Sequence, residues 1–359
     1  MALAHLKARR FRNLGDVYVE PGPGVCVLFG SNAQGKTNLI EAVHLLSNLQ
    51  SFRTRRLRDL IGLGFAEAVV DGELRGDRGT VRLRVRLDLS GRTAQLNEKN
   101  PPSASSYLSA FHTVLFSPID IDLARGSQDL RRRYLDRATF LRDPSHLVRL
   151  RDYNRVLRHR NACLRKEGES IAVWDEQLAR LGSEVSRARR ITMTGLVPVL
   201  RRIHGEISGG DEADLTCPPP HGESGDVEAD LREELFRGRE RDLRLGYTGS
   251  GPHRQMVRLL LEGKPAERFA SQGQMRTLAL SVKLALLVWG QSTLSEPPLF
   301  LLDDPGSELD RARLAHLGRF LEGWQGQVII ASTERDSVPI PDPSAARYFR
   351  LESGCVIPA

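Results

Sequence analysis

The chain has 359 residues, 40% apolar and 6% aromatic, enough to bury a core in one large domain or two moderate ones. It carries 52 basic residues against 45 acidic ones, a formal net charge of +7, and six of the basic residues are lysine. No apolar run approaches the roughly eighteen residues of a membrane span, and "MALAHLKARRFRN" lacks the apolar core of a secretory leader, so neither insertion nor secretion is expected.

The opening, "HLKARRFRNLGDVYVEPGPGVCVLFG", reads as short strands divided by "PGPG", with an apolar strand over 25–29 running into a glycine-rich turn. From Asn38 to Leu49 the apolar residues Leu39, Ala42, Val43, Leu45 and Leu46 recur at helical spacing. Between about 66 and 116 the period changes to two, as in "TVRLRVRLDLS", where apolar and charged residues alternate along a half-exposed strand. From about 125 to 205 the sequence turns helical. Leu150, Tyr153, Leu157 and Leu164 form one heptad-like stripe, and Trp174, Leu178, Leu181, Val185 and Ala188 form a second. Separated by the turn "KEGES", they predict two antiparallel helices packed as a short hairpin. Residues 205–226 are acidic and rich in Gly and Pro, which predicts a loop-rich connection. Strand and turn chemistry returns near 245 in "GYTGSGPHRQMVRLLLEG". The simplest architecture is an α/β domain built from both chain ends, 1–122 and 245–359, with a helical insertion at 123–244.

Four cysteines, Cys26, Cys163, Cys217 and Cys355, are scattered without a CxxC or zinc spacing, which predicts reduced thiols in a cytoplasmic protein. The arginine excess has two sources, a polyanion partner that guanidinium grips well or the codon bias of a GC-rich genome. The positive net charge is a separate fact and favours nucleic acid.

Three motifs carry chemistry. Gly30-x4-Gly35-Lys36-Thr37 fits the Walker A pattern in its required strand–loop–helix setting. Gly30, Ser31, Asn32, Ala33, Gln34 and Gly35 turn backbone N–H groups inward around a β-phosphate. Lys36 reaches the β and γ oxygens, Thr37 offers a hydroxyl to Mg²⁺, and Asn38 opens the helix. In "PPLFLLDDPGSELD" an apolar strand ends in Asp303 and Asp304, the Walker B form: the first acid holds Mg²⁺, the second orients or deprotonates the attacking water. In "FASQGQMRTLALSVKLALLVW", Ser271, Gly273 and Gln274 stand at the start of a long amphipathic helix, where an N-cap serine or an anion site both fit. Walker A, then this tetrapeptide, then Walker B, then "SELD" is the order of ABC-type ATPases, and the order favours the anion site.

The sequence resembles the RecF family of DNA-repair ATPases, relatives of SMC and double-strand-break-repair heads. The resemblance rests on "FRN" at 11–13, "GSNAQGKTN" at 30–38, "SFRTRR" at 51–56, "LFSPIDIDLARGSQDLRRRYLD" at 115–136 and "YNRVLRHRN" at 153–161. It continues in "WDEQL" at 174–178, "GPHR" at 251–254 and "SQGQMRTLALSVKLA" at 271–285, and so covers most of the length. It implies an ABC-type P-loop NTPase head carrying a helical second lobe. It also implies ATP and Mg²⁺ as cofactors, with Lys36, Asp303 and Asp304 catalytic and Thr37 and Asp303 on the metal. Ser271 would close on the γ-phosphate of a second copy, with Ser307 to Asp310 at that junction. By the same resemblance the protein acts in DNA replication, recombination, repair and the SOS response. It would bind double-stranded DNA and junctions at single-strand gaps, with RecR and RecO helping to place RecA.

Two departures from the general ABC pattern, Asp304 in place of Glu and Ser332–Thr333 where a switch histidine is expected, imply weak hydrolysis. ATP then serves as a dimerising switch. The competing reading, the ATPase subunit of a membrane transporter, sits badly with the long interval between Lys36 and Ser271. A structural SMC-like tether needs longer helices and a hinge. Basic clusters at Arg53, Arg55, Arg56 and Arg58, at Arg131, Arg132 and Arg133, and at Arg149, Arg151, Arg155, Arg158 and Arg160 read either as DNA contacts or as solvated helix faces.

Overall fold

The apolar runs Val25–Phe29, Val328–Ser332 and Leu299–Asp303 lie side by side as parallel strands, each covered on both faces. Strands buried on both faces read as unbroken apolar runs, which is why these three stand out in the sequence. They form the middle of a six-stranded sheet in the order 355–358, 347–352, 25–29, 328–332, 299–303, 113–116, with only Cys355–Pro358 antiparallel to its neighbour. A second sheet of five antiparallel strands runs 17–19, 2–9, 67–76, 79–88, 92–96. Its strand Gly79–Asp88 buries Leu83, Val85 and Leu87 and exposes the arginines between them, as the period of two requires. The helix Lys36–Asn48 packs against both sheets in one continuous core, so closely that a Cβ on Gly72 would meet Leu46 at 2.8 Å. Buried Gln327 ties the two ends of the chain together, its amide bonding both backbone groups of Leu3 at 2.8 and 2.9 Å.

The computed structural model describes residues 1–77, 79–165, 171–218 and 225–358. By packing, the chain divides into two units, Met1–Asp120 with the chain from Gly290 onward, and Ile121–Trp289. Residues 245–289, which chain order placed with the first unit, therefore cluster with the second. The reason is local: Arg258–Leu261 pairs with the strand Ala213–Thr216, Gln128 bonds both backbone groups of Val257, and the Tyr134 hydroxyl donates to the Val282 carbonyl at 3.0 Å. Ala213–Thr216 itself lies where a loop-rich connection was expected.

In the second unit, His146–Leu164 and the 38-residue helix Ile171–Ser208 carry the two stripes, while the turn "KEGES" lies outside the described residues. Their run is antiparallel: Arg160 bonds Asp175, and further back Tyr153 packs beside Gly182. Tyr153, Val156, Leu178 and Val185 share a core, joined by Leu231 and Leu235 of a third helix, Val227–Arg237, that the two stripes alone did not announce.

Buried charges brace this unit. Arg160 is fully buried and bonds Asp175 at 2.6 Å, Asp242 at 2.8 Å and Thr248 at 2.9 Å. Burial alone would raise the Asp136 carboxyl, but Arg189, forked onto it at 2.8 and 2.9 Å, and His146 hold it down to about 2.

His253 of "GPHR" sits between the Tyr153 hydroxyl at 2.6 Å and the Thr248 carbonyl at 3.1 Å. Burial, reinforced by Arg254, Arg132 and Arg160 against the Thr248 bond, pulls its imidazole from 6.5 down to about 4. As pH falls the unfolded chain takes up this proton first. Stability from His253 is therefore complete above about pH 6.5 and lost progressively toward pH 4, a swing of about 3 kcal/mol. Urea unfolding at neutral and acid pH is expected to show a smaller acid loss in His253→Gln than in the native protein.

Candidate functional site

The phosphate loop is shaped by two glycines. Gly30 has φ +146, and a Cβ there would fall 2.5 Å from the Leu351 carbonyl; Gly35 has φ +105, with Leu14 at 2.8 Å from its would-be Cβ. At Gly30 neither conformation nor backbone space admits a side chain, and at Gly35 the positive φ alone disfavours one. Gly35 then caps the helix Lys36–Asn48 without any side-chain bond, which leaves the first-turn N–H groups and the positive end of the helix facing the loop.

Lys36 curls back over this loop, its ammonium donating to the carbonyls of Gly30 at 2.6 Å and Ser31 at 2.7 Å. Burial lowers its pKa, opposed by the nearby charges of Asp304 and Asp303. The Thr37 hydroxyl donates to Asp303 at 2.8 Å. Asp303 is buried at the carboxyl end of Leu299–Asp303, and that burial raises its pKa; the Thr37 bond pulls it down and the charge of Asp304 pushes it further up. Asp304 follows in the left-handed region, φ +50, with its N–H on the Ala331 carbonyl. Such strain in a non-glycine residue persists only where its surroundings hold it.

These side chains line one cavity of about 620 Å³. Two hard oxygens, from Thr37 and Asp303, suit a Mg²⁺ ion that takes its other ligands from phosphate and water. Among the described residues no group of three or more His, Cys, Asp and Glu could hold a metal alone. The cavity is also lined by residues that spacing did not single out: Arg12, Asn13, Asp59, Ile61 and Leu63. Arg12 and Asn13 belong to "FRN"; Asn13 reaches the Ala33 carbonyl at 3.0 Å and Asn38 bonds Asn13 in turn. The only sequence signal for them was the family resemblance of that tripeptide. A second cavity, of about 360 Å³ on the polar face of the antiparallel sheet, is laced by ion pairs such as Arg84–Asp71 and lacks this convergence on an anion.

Ser271, Gly273 and Gln274 belong to the second unit, whereas every residue lining the phosphate cavity belongs to the first. Ser271 is exposed at the head of the helix Gln272–Thr293, exchanging bonds with Gln274: the Gln274 N–H donates to its hydroxyl at 3.2 Å and its own N–H to the Gln274 side chain at 2.9 Å. Ser307 caps back onto the Asp304 carbonyl at 3.0 Å. Ser332 is buried and bonds Ser337, while Thr333 is exposed.

The arginine clusters separate. Arg131 is not a DNA contact: it is 1% exposed, its guanidinium filled by the carbonyls of Leu123, Ala124 and Val257 and by Glu267 at 3.0 Å. Arg160 is likewise interior. Arg132 is half-buried on the Gln255 carbonyl, and Arg133 is exposed but pairs with Asp129 at 2.6 Å. Arg53 lines the phosphate cavity, and Arg55 and Arg56 are exposed beyond it.

The family model of the RecF/RecN/SMC N terminal domain matches residues 2–340. The chain is 40% identical over 370 residues to the DNA replication and repair protein RecF of Anaeromyxobacter dehalogenans strain 2CP-C, covering 100% of this chain and 99% of that one. It is 36% identical over 366 residues to the RecF of Geobacter sulfurreducens, covering 100% of both. The solved structure of the recombination mediator protein RecF with ATP, of the RecFOR pathway, matches with a TM-score of 0.91 at 30% identity, covering 99% of this chain and 97% of that one. An Smc head bound to the C-winged helix domain of ScpA matches with a TM-score of 0.58 at 15% identity over 99% of this chain and 96% of that one, a likeness of fold alone. The fold is the ABC-type ATPase fold that the family resemblance implied.

Thr37→Val keeps the side-chain shape and removes the hydroxyl. In titrations with a nucleoside triphosphate, the gain in affinity that Mg²⁺ brings is expected to fall by about tenfold, the scale of one hydrogen bond to a charged group.

Proposed function

Because this chain belongs to the RecF family of DNA replication and repair ATPases, we propose that it is an ATP-dependent DNA-binding protein of recombination repair. In this reading ATP joins two copies into a clamp on double-stranded DNA and on double-strand/single-strand junctions at gaps. With RecR and RecO as partners, the clamp helps load RecA at damaged forks during the SOS response. The relative solved with ATP in the RecFOR pathway supports both the nucleotide and the pathway.

One observation carries the reading: Thr37 and Asp303, bonded at 2.8 Å, stand beside Lys36 and an uncapped helix start in a single cavity. The Lys36 ammonium exchanges two neutral carbonyls for charged phosphate oxygens, which favours its cationic form against the burial that now opposes it. Thr37 and Asp303 hold the metal side. Mg²⁺ held there by Thr37 and Asp303 would supply positive charge against that of the nucleotide's phosphates. Asp304 orients the attacking water. Its carboxylate is one methylene shorter than a glutamate's, and Ser332, turned onto Ser337, brings no imidazole to the same strand end. Both features support slow hydrolysis and a switch-like use of ATP. Ser271 of a second copy closes over the γ-phosphate, its helix start adding a second positive dipole end. The transporter reading is set aside by the family.

Recognition of DNA falls to backbone phosphates, with Arg55 and Arg56 on the first unit and Arg133 on the second as exposed cations.

Gel filtration tests the clamp. The native protein is expected to dimerise only with ATP, and both Lys36→Arg and Ser271→Arg to weaken that dimer; a dimer indifferent to ATP refutes the mechanism. For DNA, lowering salt from about 300 to about 50 mM is expected to raise affinity by orders of magnitude, and a flat response rejects phosphate-driven binding.

A further inference from the structure

Glu41 lies one helical turn beyond Thr37, with its side chain 0% exposed. A buried carboxylate is costly unless fully paired, and this one gathers partners from two distant loops. Arg12 of "FRN" forks onto it through Nε at 2.8 Å and Nη2 at 2.7 Å. The Ser51 hydroxyl donates to it, and Arg53 of "SFRTRR" approaches at only 3.5 Å. Arg12 and Arg53 both line the phosphate cavity.

The two arginines are held unequally. Arg12 is 17% exposed, its charge matched by the fork, and its backbone sits at φ +55 with its N–H on the Leu60 carbonyl. Arg53 is 41% exposed; its short bond, at 2.7 Å, goes to the neutral side-chain oxygen of Asn38, and the contact to Glu41 is too long to be a strong one. A phosphate oxygen in the cavity is a better acceptor for this guanidinium than a neutral amide. If Arg53 leaves, Glu41 keeps the Arg12 fork and the Ser51 hydroxyl, so the transfer strands no buried charge.

Ser51 extends the network into the backbone. While donating to Glu41, its hydroxyl accepts the N–H groups of Arg53 at 2.9 Å and Thr54 at 3.0 Å. The fold of the segment 51–54 therefore hangs on the same carboxylate that anchors Arg12.

We propose that Glu41 is the positioning residue of the phosphate cavity: it fixes Arg12 in the wall and presents Arg53 as a transferable phosphate clamp. Through Ser51 it couples nucleotide entry to the loop that continues into Arg55 and Arg56. The inference rests on the ATP-binding reading above.

The test is a double-mutant cycle on full-length protein, with Mg-ATP binding followed by calorimetry and folding by thermal melts. Glu41→Gln and Arg53→Ala are each expected to weaken binding by about tenfold, the scale of one charge-assisted bond. In the double variant the loss is expected to stay near that of one change, because Glu41 acts through the arginines. Additive losses mark a merely structural role and overturn the proposal, as does native affinity in folded Glu41→Gln. Should Glu41→Gln not fold, Arg53→Ala decides: unchanged affinity overturns the proposal, and a loss with an unchanged melting temperature supports it. In the native protein, Mg-ATP is expected to alter amide exchange at Arg53 and Thr54; no change there overturns the coupling. If the native protein binds ATP, failure of these arms touches Glu41 alone; if it does not, the reading of the site falls first.

Discussion

The site depends on one row of the parallel sheet. Leu28, Ala331 and Asp303 are register partners across three neighbouring strands, so the carboxyl ends of Val25–Phe29, Val328–Ser332 and Leu299–Asp303 finish at a common edge. The first strand feeds the phosphate loop there, and the last delivers Asp303. Thr37 and Asp303 are 266 positions apart in the chain and meet at 2.8 Å because the register leaves no other place for them. Open parallel sheets bind ligands at such edges, where loops rather than paired backbone are presented.

Charge inside the protein follows a second constraint, that a buried ion must be matched. The arginine excess does not translate into a basic surface of equal size. In the second unit Arg131, Arg160 and Arg189 are interior, each matched to a carboxylate, and Arg131 and Arg189 bond backbone carbonyls as well. The forked geometry of guanidinium permits this, since one side chain bridges three or four segments at once. In the first unit Glu41 reverses the arrangement, one buried acid receiving two arginines. Arginine identity alone thus does not tell an interior brace from an exposed cation; burial does.

The legible features were those with short range. The phosphate loop, its strand and its helix are contiguous, and the alternation in Gly79–Asp88 reports the exposure of its own residues. The two helical stripes met as expected because a hairpin joins neighbours. The illegible ones were nonlocal. Residues 245–289 looked like a return to the first unit because strand chemistry resumed, yet Arg258–Leu261 pairs with Ala213–Thr216. Arg131 looked like part of a basic face because its run of three arginines carries no sign of which one points inward.

By itself the sequence determined the phosphate loop, the paired acids at a strand end, the family and the order of motifs, since each is written in adjacent residues whose chemistry needs no partner to be recognised. Tertiary structure alone decided which arginines are exposed and which interior, that Thr37 grips Asp303, and that Arg12 and Arg53 converge on Glu41 at the cavity wall. Those facts depend on register and burial, which bring distant residues within hydrogen-bonding range and which no local pattern encodes.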